Sequence, residues 1–418
     1  MNRKWVLALC VVISLALTAD RSAGLATEYN PSSISDRAFN PAVSVILDGR
    51  YAYFEQDPGH YRLAGFQLGG EAGLGPSGLS LGHSELAMSA NIDDKFYGNM
   101  TAALHSHEGE THVELEEAYL VTLGLGHGLA VKAGRFLSSV GYLNESHDHD
   151  WDFADPPLVY RGLFGNHLRD DGLQLNCIAP TAVFAQAGAE LLHGEAFPAG
   201  GAANDGVGAY SLFANVGGDV GVDHSWQMGV SHWSADVEDR AATGHSHAGH
   251  SDNQEEPATA CFSGESRVYG LDAVWKWAPD GNPSIRNFKL QFEYLNRKEE
   301  GTVTILGSEP PQAASYDGTQ DGWYAQAVFQ FMPQWRVGLR YDQVRADNTG
   351  SDNDVFEEAG LDDESARPER ISVMLDWSNS EFSRIRLQYN YDNSRDEKDH
   401  QMFLQYTMSL GSHGAHQF

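Results

Sequence analysis

Three groups of histidines carry the most distinctive chemistry in this 418-residue chain. His105 and His107 are followed by His112, His147 and His149 alternate with Asp148 and Asp150, and His245 and His247 are followed by His250. Neutral imidazole together with carboxylate is the ligand set for Zn2+ and related divalent ions, and nearby acids raise the local cation concentration. None of the groups has a fixed structural-zinc spacing, so the expectation is collective: Zn2+ gathered by several loops, with no cofactor required. A solvated, unliganded histidine is the simpler reading of any one of them. A second set is cationic. Arg50, Lys132, Lys289, Arg336, Arg340, Arg384 and Arg386 share the polar face of alternating segments, and Arg135, out of phase with Lys132, is expected only as a residue of the pore mouth. Charges that line a narrow aqueous passage decide which ions cross it. Catalytic motifs are missing: there is no His-Glu-x-x-His, and no Gly-x-Ser-x-Gly in an α/β setting. Gly69-Gly70 and Gly200-Gly201 lack the strand–loop–helix context of a phosphate cradle. An enzyme is not expected.

The elements that must position these residues have a period of two. Val43, Val45, Leu47, Tyr51 and Tyr53 alternate with Ser44, Asp48 and Arg50. The pattern returns at Leu86–Ile92, Phe288–Tyr294, Trp335–Tyr341 and Ile385–Tyr391. Successive side chains of a strand point to opposite faces, so each segment has one apolar and one polar face. Short connections at 93–95, 124–128, 179–181, 217–221, 279–283, 332–334 and 378–381 alternate with long ones at 137–170, 193–208, 236–265, 297–321 and 345–368. A sandwich places long loops at both ends. Alternation of this kind belongs to a transmembrane antiparallel β-barrel with short periplasmic turns and long extracellular loops, here of about sixteen strands. Aromatic residues at the strand ends, such as Trp275, Trp323, Trp335 and Trp377, suit the two membrane interfaces.

The N-terminus decides the compartment. Asn2-Arg3-Lys4 precedes an apolar run from Trp5 to Leu17, and small residues follow at Ala19, Ala23, Gly24 and Ala26. Residues 1–26 therefore read as a signal peptide, 27–41 as a short periplasmic segment and 42–418 as the barrel. Export permits a disulfide between Cys177 and Cys261, and two unrelated thiols fit equally. The 27 Lys and Arg stand against 58 Asp and Glu, a net charge of −31 that speaks against nucleic acid as a partner. With 41% hydrophobic and 11% aromatic residues the chain is too apolar for disorder.

Glu116-Glu117-Ala118-Tyr119-Leu120, the run Val131–Phe136 and Val140-Gly141 resemble the early strands of phosphate-selective porins of the O and P type. The segment from Asp155-Pro156-Pro157 to Gly165 is similar to that family's loop which folds into the pore. The resemblance implies an outer-membrane, water-filled channel for small solutes or ions, a homotrimer, and a loop at 137–169 that narrows the lumen. Such a barrel sits among outer-membrane lipids and lipopolysaccharide. Its final strand, Met402 to Leu410 with a terminal Phe418, looks like the signal read by the barrel-assembly machinery. Pores of that family are lined by many Arg and Lys, whereas this chain is acidic, so the resemblance implies a porin and leaves the solute open. The His-rich loops also resemble those of zinc-linked outer-membrane proteins, which implies help with divalent-metal uptake.

The first and last strands of a closed barrel are neighbours, so Arg50 and the cluster from Arg336 to Arg386 are expected to form one basic wall. Asp148, Asp150, Asp152 and Asp155 on the infolded loop are expected to face it across the constriction. The alternative is that the arginines pair with Asp342, Glu293 and other lumen carboxylates. A receptor for a metal or metal chelate is the second functional reading, but it calls for a plug and about 22 strands.

Overall fold

The computed structural model describes residues 41–69, 71–107, 110–200, 206–241, 259–306, 312–362 and 366–411. Residues 1–40, the cluster His245, His247 and His250, and the terminal Phe418 lie outside them. The described chain forms one antiparallel sheet closed on itself. Its strands are β1 (Ala42–Phe54), β2 (Gly78–Leu81), β3 (Ser84–Asn91), β4 (Phe96–His107), β5 (Glu110–Thr122), β6 (Leu129–Leu137), β7 (Arg169–Ile178), β8 (Phe184–Leu192) and β9 (Ala209–Val220). They continue with β10 (His224–Ala241), β11 (Thr259–Trp277), β12 (Asn287–Leu306), β13 (Gln312–Met332), β14 (Trp335–Gly350), β15 (Glu369–Ser380), β16 (Ser383–Asn393) and β17 (Asp399–Gly411). Closure is between β1 and β17, in register from Ser44 opposite Gly411 to Phe54 opposite Gln401. Both β2 and β3 pair with β1, so they are halves of one strand interrupted at Gly82-His83, and sixteen strands make the barrel.

The outside is apolar around its waist. Leu47, Tyr51 and Tyr53 of β1 face out, as do Leu339 of β14, Leu375 of β15, Leu387 of β16 and Leu404 of β17, while Asp48, Arg340, Asp376 and Arg386 are buried inside. Trp335 and Trp377 pack across β14 and β15 at one edge of this band, with tilted rings whose centres are 6.4 Å apart. Trp323 packs on Tyr341 at the other edge, at 5.2 Å. Trp335 and Tyr341 are six residues apart on one strand, ~20 Å at ~3.3 Å per residue, which suits an outer-membrane hydrocarbon layer. No helix of the described residues is long and apolar enough to cross a membrane.

One wall rises above the band. Strands β10 to β13 run 18, 19, 20 and 21 residues, about twice what a bilayer needs. Most of the loop expected at 297–321 is therefore strand, as are 236–241 and 259–265 of the one expected at 236–265. The reason is an inversion of polarity without any slip of register. Within the band β12 shows Leu290 outside and Gln291 inside, while higher up Thr302 faces water and Val303 and Ile305 are fully buried. Above the membrane the outer face meets water and the interior becomes an ordinary apolar core. That core also takes in helix α1 (Leu158–Phe164), Leu63 and Phe66 of the β1–β2 loop, and helix α2 (Asn353–Glu358). Cys177 and Cys261 are free thiols on β7 and β11.

Candidate functional site

The connection between β6 and β7, residues 138–168, turns into the barrel instead of out to solvent. Asn144 clamps its base: its amide donates to the carbonyls of Ser138 and Leu168, both at 2.8 Å, and its oxygen accepts from the Leu168 N–H at 2.7 Å. Glu293 on β12 accepts from the backbone N–H groups of Tyr142 and Leu143 at 3.0 Å and from the Tyr160 hydroxyl at 2.7 Å. Phe153, Leu158 and Tyr160 supply the apolar contacts, each buried against the barrel wall. The loop is thus fixed by both polar and apolar contacts.

Its middle meets a basic wall. Asp152 lies 2.5 Å from Lys289 Nζ on β12 and 3.1 Å from Arg336 Nη1 on β14. Asp155 pairs with Arg340 at 2.9 Å and with Arg370 on β15 at 2.8 Å, and accepts further bonds from Gln388 and Asn390 of β16. Burial alone would raise both carboxyls. The cations of Lys289 and Arg336 beside Asp152, and of Arg370 and Arg340 beside Asp155, outweigh it and hold both well below the usual carboxylate range. Arg386 donates to Asp376 at 2.9 Å and to the Trp151 carbonyl at 2.8 Å, and Arg384 donates to the His149 carbonyl at 2.8 Å. Arg340 also pairs with Asp342 at 3.0 Å. The wall and the carboxylates therefore neutralise one another. Arg370 was absent from the expected set, although it shares the polar phase of Ser372 and Asp376 and was legible there. Arg50 stacks on the Phe403 ring at 4.4 Å, and Lys132 stands over the Tyr119 and Phe136 rings at 5.0 and 5.3 Å.

One expected placement needs correction. Arg135 is not at a pore mouth: it is on the outer face, bonded to Asp171 at 2.7 Å, because Phe136 beside it takes the inward position. Asp148 and Asp150 lie on a single 3-10 turn, where Asp148 accepts from His167 Nε2 at 2.6 Å.

That turn belongs to a second wall, of acids and imidazoles. His83 Nε2 lies 3.0 Å from Glu116 and 3.3 Å from Glu85, and His149 Nδ1 lies 2.9 Å from Glu85. His147 Nδ1 lies 3.6 Å from Glu85 and 3.5 Å from Glu116, and its Nε2 lies 3.0 Å from Glu117. Burial disfavours the His147 cation, but these three carboxylates hold its pKa well above the ordinary value. Two backbone irregularities assemble the cluster. Glu117 pairs opposite Thr101 and Leu115 opposite Ala102, so Glu116 is an extra residue, and both glutamates are buried on the inside. The break between Leu81, opposite Gly49, and Glu85, opposite Ile46, inserts another residue at His83. Bulges of this kind re-aim side chains. Regular alternation hid them, and adjacent acids at 116 and 117 in an alternating strand were the available signal. Of the rim histidines, the backbone register sets His105 opposite His112, on neighbouring strands that also carry His107.

The fold is shared with outer-membrane porins. An anion-selective porin from Comamonas acidovorans superposes with a TM-score of 0.53 at 11% identity, over 88% of this chain and 98% of that one. The trimer form of OmpT, an outer-membrane protein of Vibrio cholerae, gives 0.52 at 9% identity over 88% and 98%. The outer-membrane channel DcaP of Acinetobacter baumannii gives 0.51 at 10% identity over 88% and 96%. Closed barrel, apolar waist and these likenesses together make this a bacterial outer-membrane β-barrel. No family model matches the chain. An uncharacterized protein of Aquifex aeolicus is 32% identical over 436 residues, covering 96% of this chain and 86% of that protein. The chain belongs to that protein's family.

Proposed function

We propose that the protein is a passive diffusion channel of the outer membrane, passing small hydrophilic solutes or ions along the polar side of the infolded loop. The observation that carries this reading is the loop itself: a structured segment held inside a closed barrel by charged pairs on one wall and an acid–imidazole cluster on the other. A lumen with many charges favours hydrated, polar cargo, since an apolar solute would have to strip charged side chains of water. A signal peptide at 1–26 would direct export, and the barrel-assembly machinery would insert the chain among outer-membrane lipids and lipopolysaccharide. A homotrimer fits the low wall of the barrel. There the outer face of β3–β6 forms a shallow hollow of about 560 Å3 lined by Met88, Ile92, Gly98, Met100, Leu120 and Ala133, which a second protomer would cover. Reconstituted into liposomes loaded with an impermeant polymer, the protein should cause swelling in small sugars and amino acids, with rates that fall as solute size grows. Rates equal to those of empty liposomes would remove the channel reading.

A further inference from the structure

We propose that His83, Glu85, Glu116 and the loop histidines His147 and His149 form a binding site for a divalent cation of the Zn2+ class inside the barrel. The site stands on its own geometry. Only its consequence, that a bound ion ties the loop to the wall and narrows the passage, rests on the channel reading.

The donor atoms already converge. One atom each of His83, Glu85 and Glu116 lies within 4.8 Å of the others. Nitrogen–oxygen separations run from 2.9 Å for His149–Glu85 to 3.6 Å for His147–Glu85. Ligands at Zn–N and Zn–O lengths of about 2.0–2.2 Å in a tetrahedron stand roughly 3.4 Å apart. Filling the site therefore needs only small side-chain shifts and no movement of strands. Glu116 Oε2 is buried and makes no hydrogen bond of ordinary geometry among the described residues, although Arg169 takes the other oxygen at 3.3 Å.

A second observation points the same way. Each of the three imidazoles turns one ring nitrogen to the Glu85–Glu116 centre and the other to an outer carboxylate. The outer partners are Glu117, 3.0 Å from His147 Nε2, and Asp150, 3.4 Å from His149 Nε2, while Asp148 stands 3.9 Å from His83 Nδ1, beyond hydrogen-bond reach. A metal-binding histidine almost always has a hydrogen-bonded partner on its far nitrogen, which fixes the tautomer and raises its basicity. Two such pairs and a third carboxylate close by, arranged about one centre, match a ligand shell. The construction is local as well. Two bulges deliver the wall residues, and fully buried Ala103 on β4 separates Glu85 from the β5 acids with too small a side chain to fill the gap. Mixed imidazole and carboxylate donors select Zn2+ and its neighbours over Mg2+ and Ca2+, which take six or more oxygens.

The test uses the full barrel with His105, His107, His112, His245, His247 and His250 all replaced by Gln, so that rim clusters contribute nothing. Calorimetry with Zn2+ after chelator stripping should find one ion per chain and no heat with Mg2+. His83→Gln and Glu85→Gln should each weaken binding at least tenfold, and Glu117→Gln, outside the ligand shell, roughly tenfold. Heat-modifiable mobility on gels identifies folded variants. Should both wall variants fail to fold, anomalous scattering at the zinc edge locates the ion in the parent. No zinc uptake by the parent, unchanged affinity in folded His83→Gln and Glu85→Gln, or a zinc peak away from Glu85 and Glu116 would overturn the site. Channel steps recorded without zinc bear on the channel alone, so a zinc-binding barrel that never conducts would keep the site and lose the channel.

Discussion

Asp155 is the residue on which the loop's position depends most. It is 3% exposed and answers two guanidinium groups, Arg340 and Arg370, together with two side-chain amides. Removing one member of a buried pair leaves the rest desolvated and uncompensated, so Asp155→Ala is expected to cost about 3–5 kcal/mol of unfolding free energy in denaturant titrations. Asp155→Asn, which keeps the shape and part of the hydrogen bonding, should cost less. Acid acts on the same contacts. The folded Asp152 and Asp155 carboxyls titrate below their ordinary value of about 4, so their stabilisation is fully present above that value. It is lost only as pH falls through the depressed folded values. With His83, His147 and His149 replaced by Gln, so that only the basic wall titrates, loop-dependent conductance should therefore be flat from pH 8 to about 5 and change only below about 4. Titration by single-channel recording checks this, and a change centred near neutrality would contradict it.

At the scale of the strand, the outer face tells membrane from water. Leu339→Arg, in the middle of the apolar band, should cost about 2–4 kcal/mol, as a charge facing lipid does. Higher on the tall wall the rule inverts: Val303→Asp buries an unpaired charge and should cost more than about 3 kcal/mol, whereas Thr302→Asp, one residue away and facing water, should stay within about 0.5 kcal/mol. Equal effects at 302 and 303 would remove the inversion. The same inversion explains what the sequence made legible. Phe288–Tyr294 reads as a strand because apolar-out and polar-in alternate cleanly there. Beyond Arg297 the polar Lys298, Glu300 and Thr302 take the outside, Val303 and Ile305 move to the inside, and the segment reads as a loop although the ladder continues. The infolded segment was recognisable from Asp155-Pro156-Pro157 and its neighbours. The basic wall was recognisable from the phase of Arg336, Arg340, Arg384 and Arg386. The acid–imidazole wall was not, because a bulge at Glu116 and a break at His83 each shift the phase by one residue, and strict alternation sends such neighbours to opposite faces.

For the whole molecule, charge and architecture set what crosses. Lys289, Arg336, Arg340, Arg370 and Arg386 are each paired with a carboxylate, and the chain carries a net charge of −31. The field left in the lumen is thus expected to favour cations, and reversal potentials in asymmetric salt should take the sign of cation selectivity. Replacing Arg336, Arg340, Arg384 and Arg386 by Ala should push that potential further in the same direction, and it should also loosen the loop by orphaning Asp376 and leaving Asp155 with Arg370 as its one guanidinium partner. Conduction itself is the most direct measurement. Purified, folded barrel inserted into a planar lipid bilayer in strong salt should give discrete, ohmic conductance steps, and excising 146–157 with a short Gly linker should enlarge each step. A folded barrel that inserts yet gives no steps, with or without the loop, would contradict the assignment as a diffusion channel.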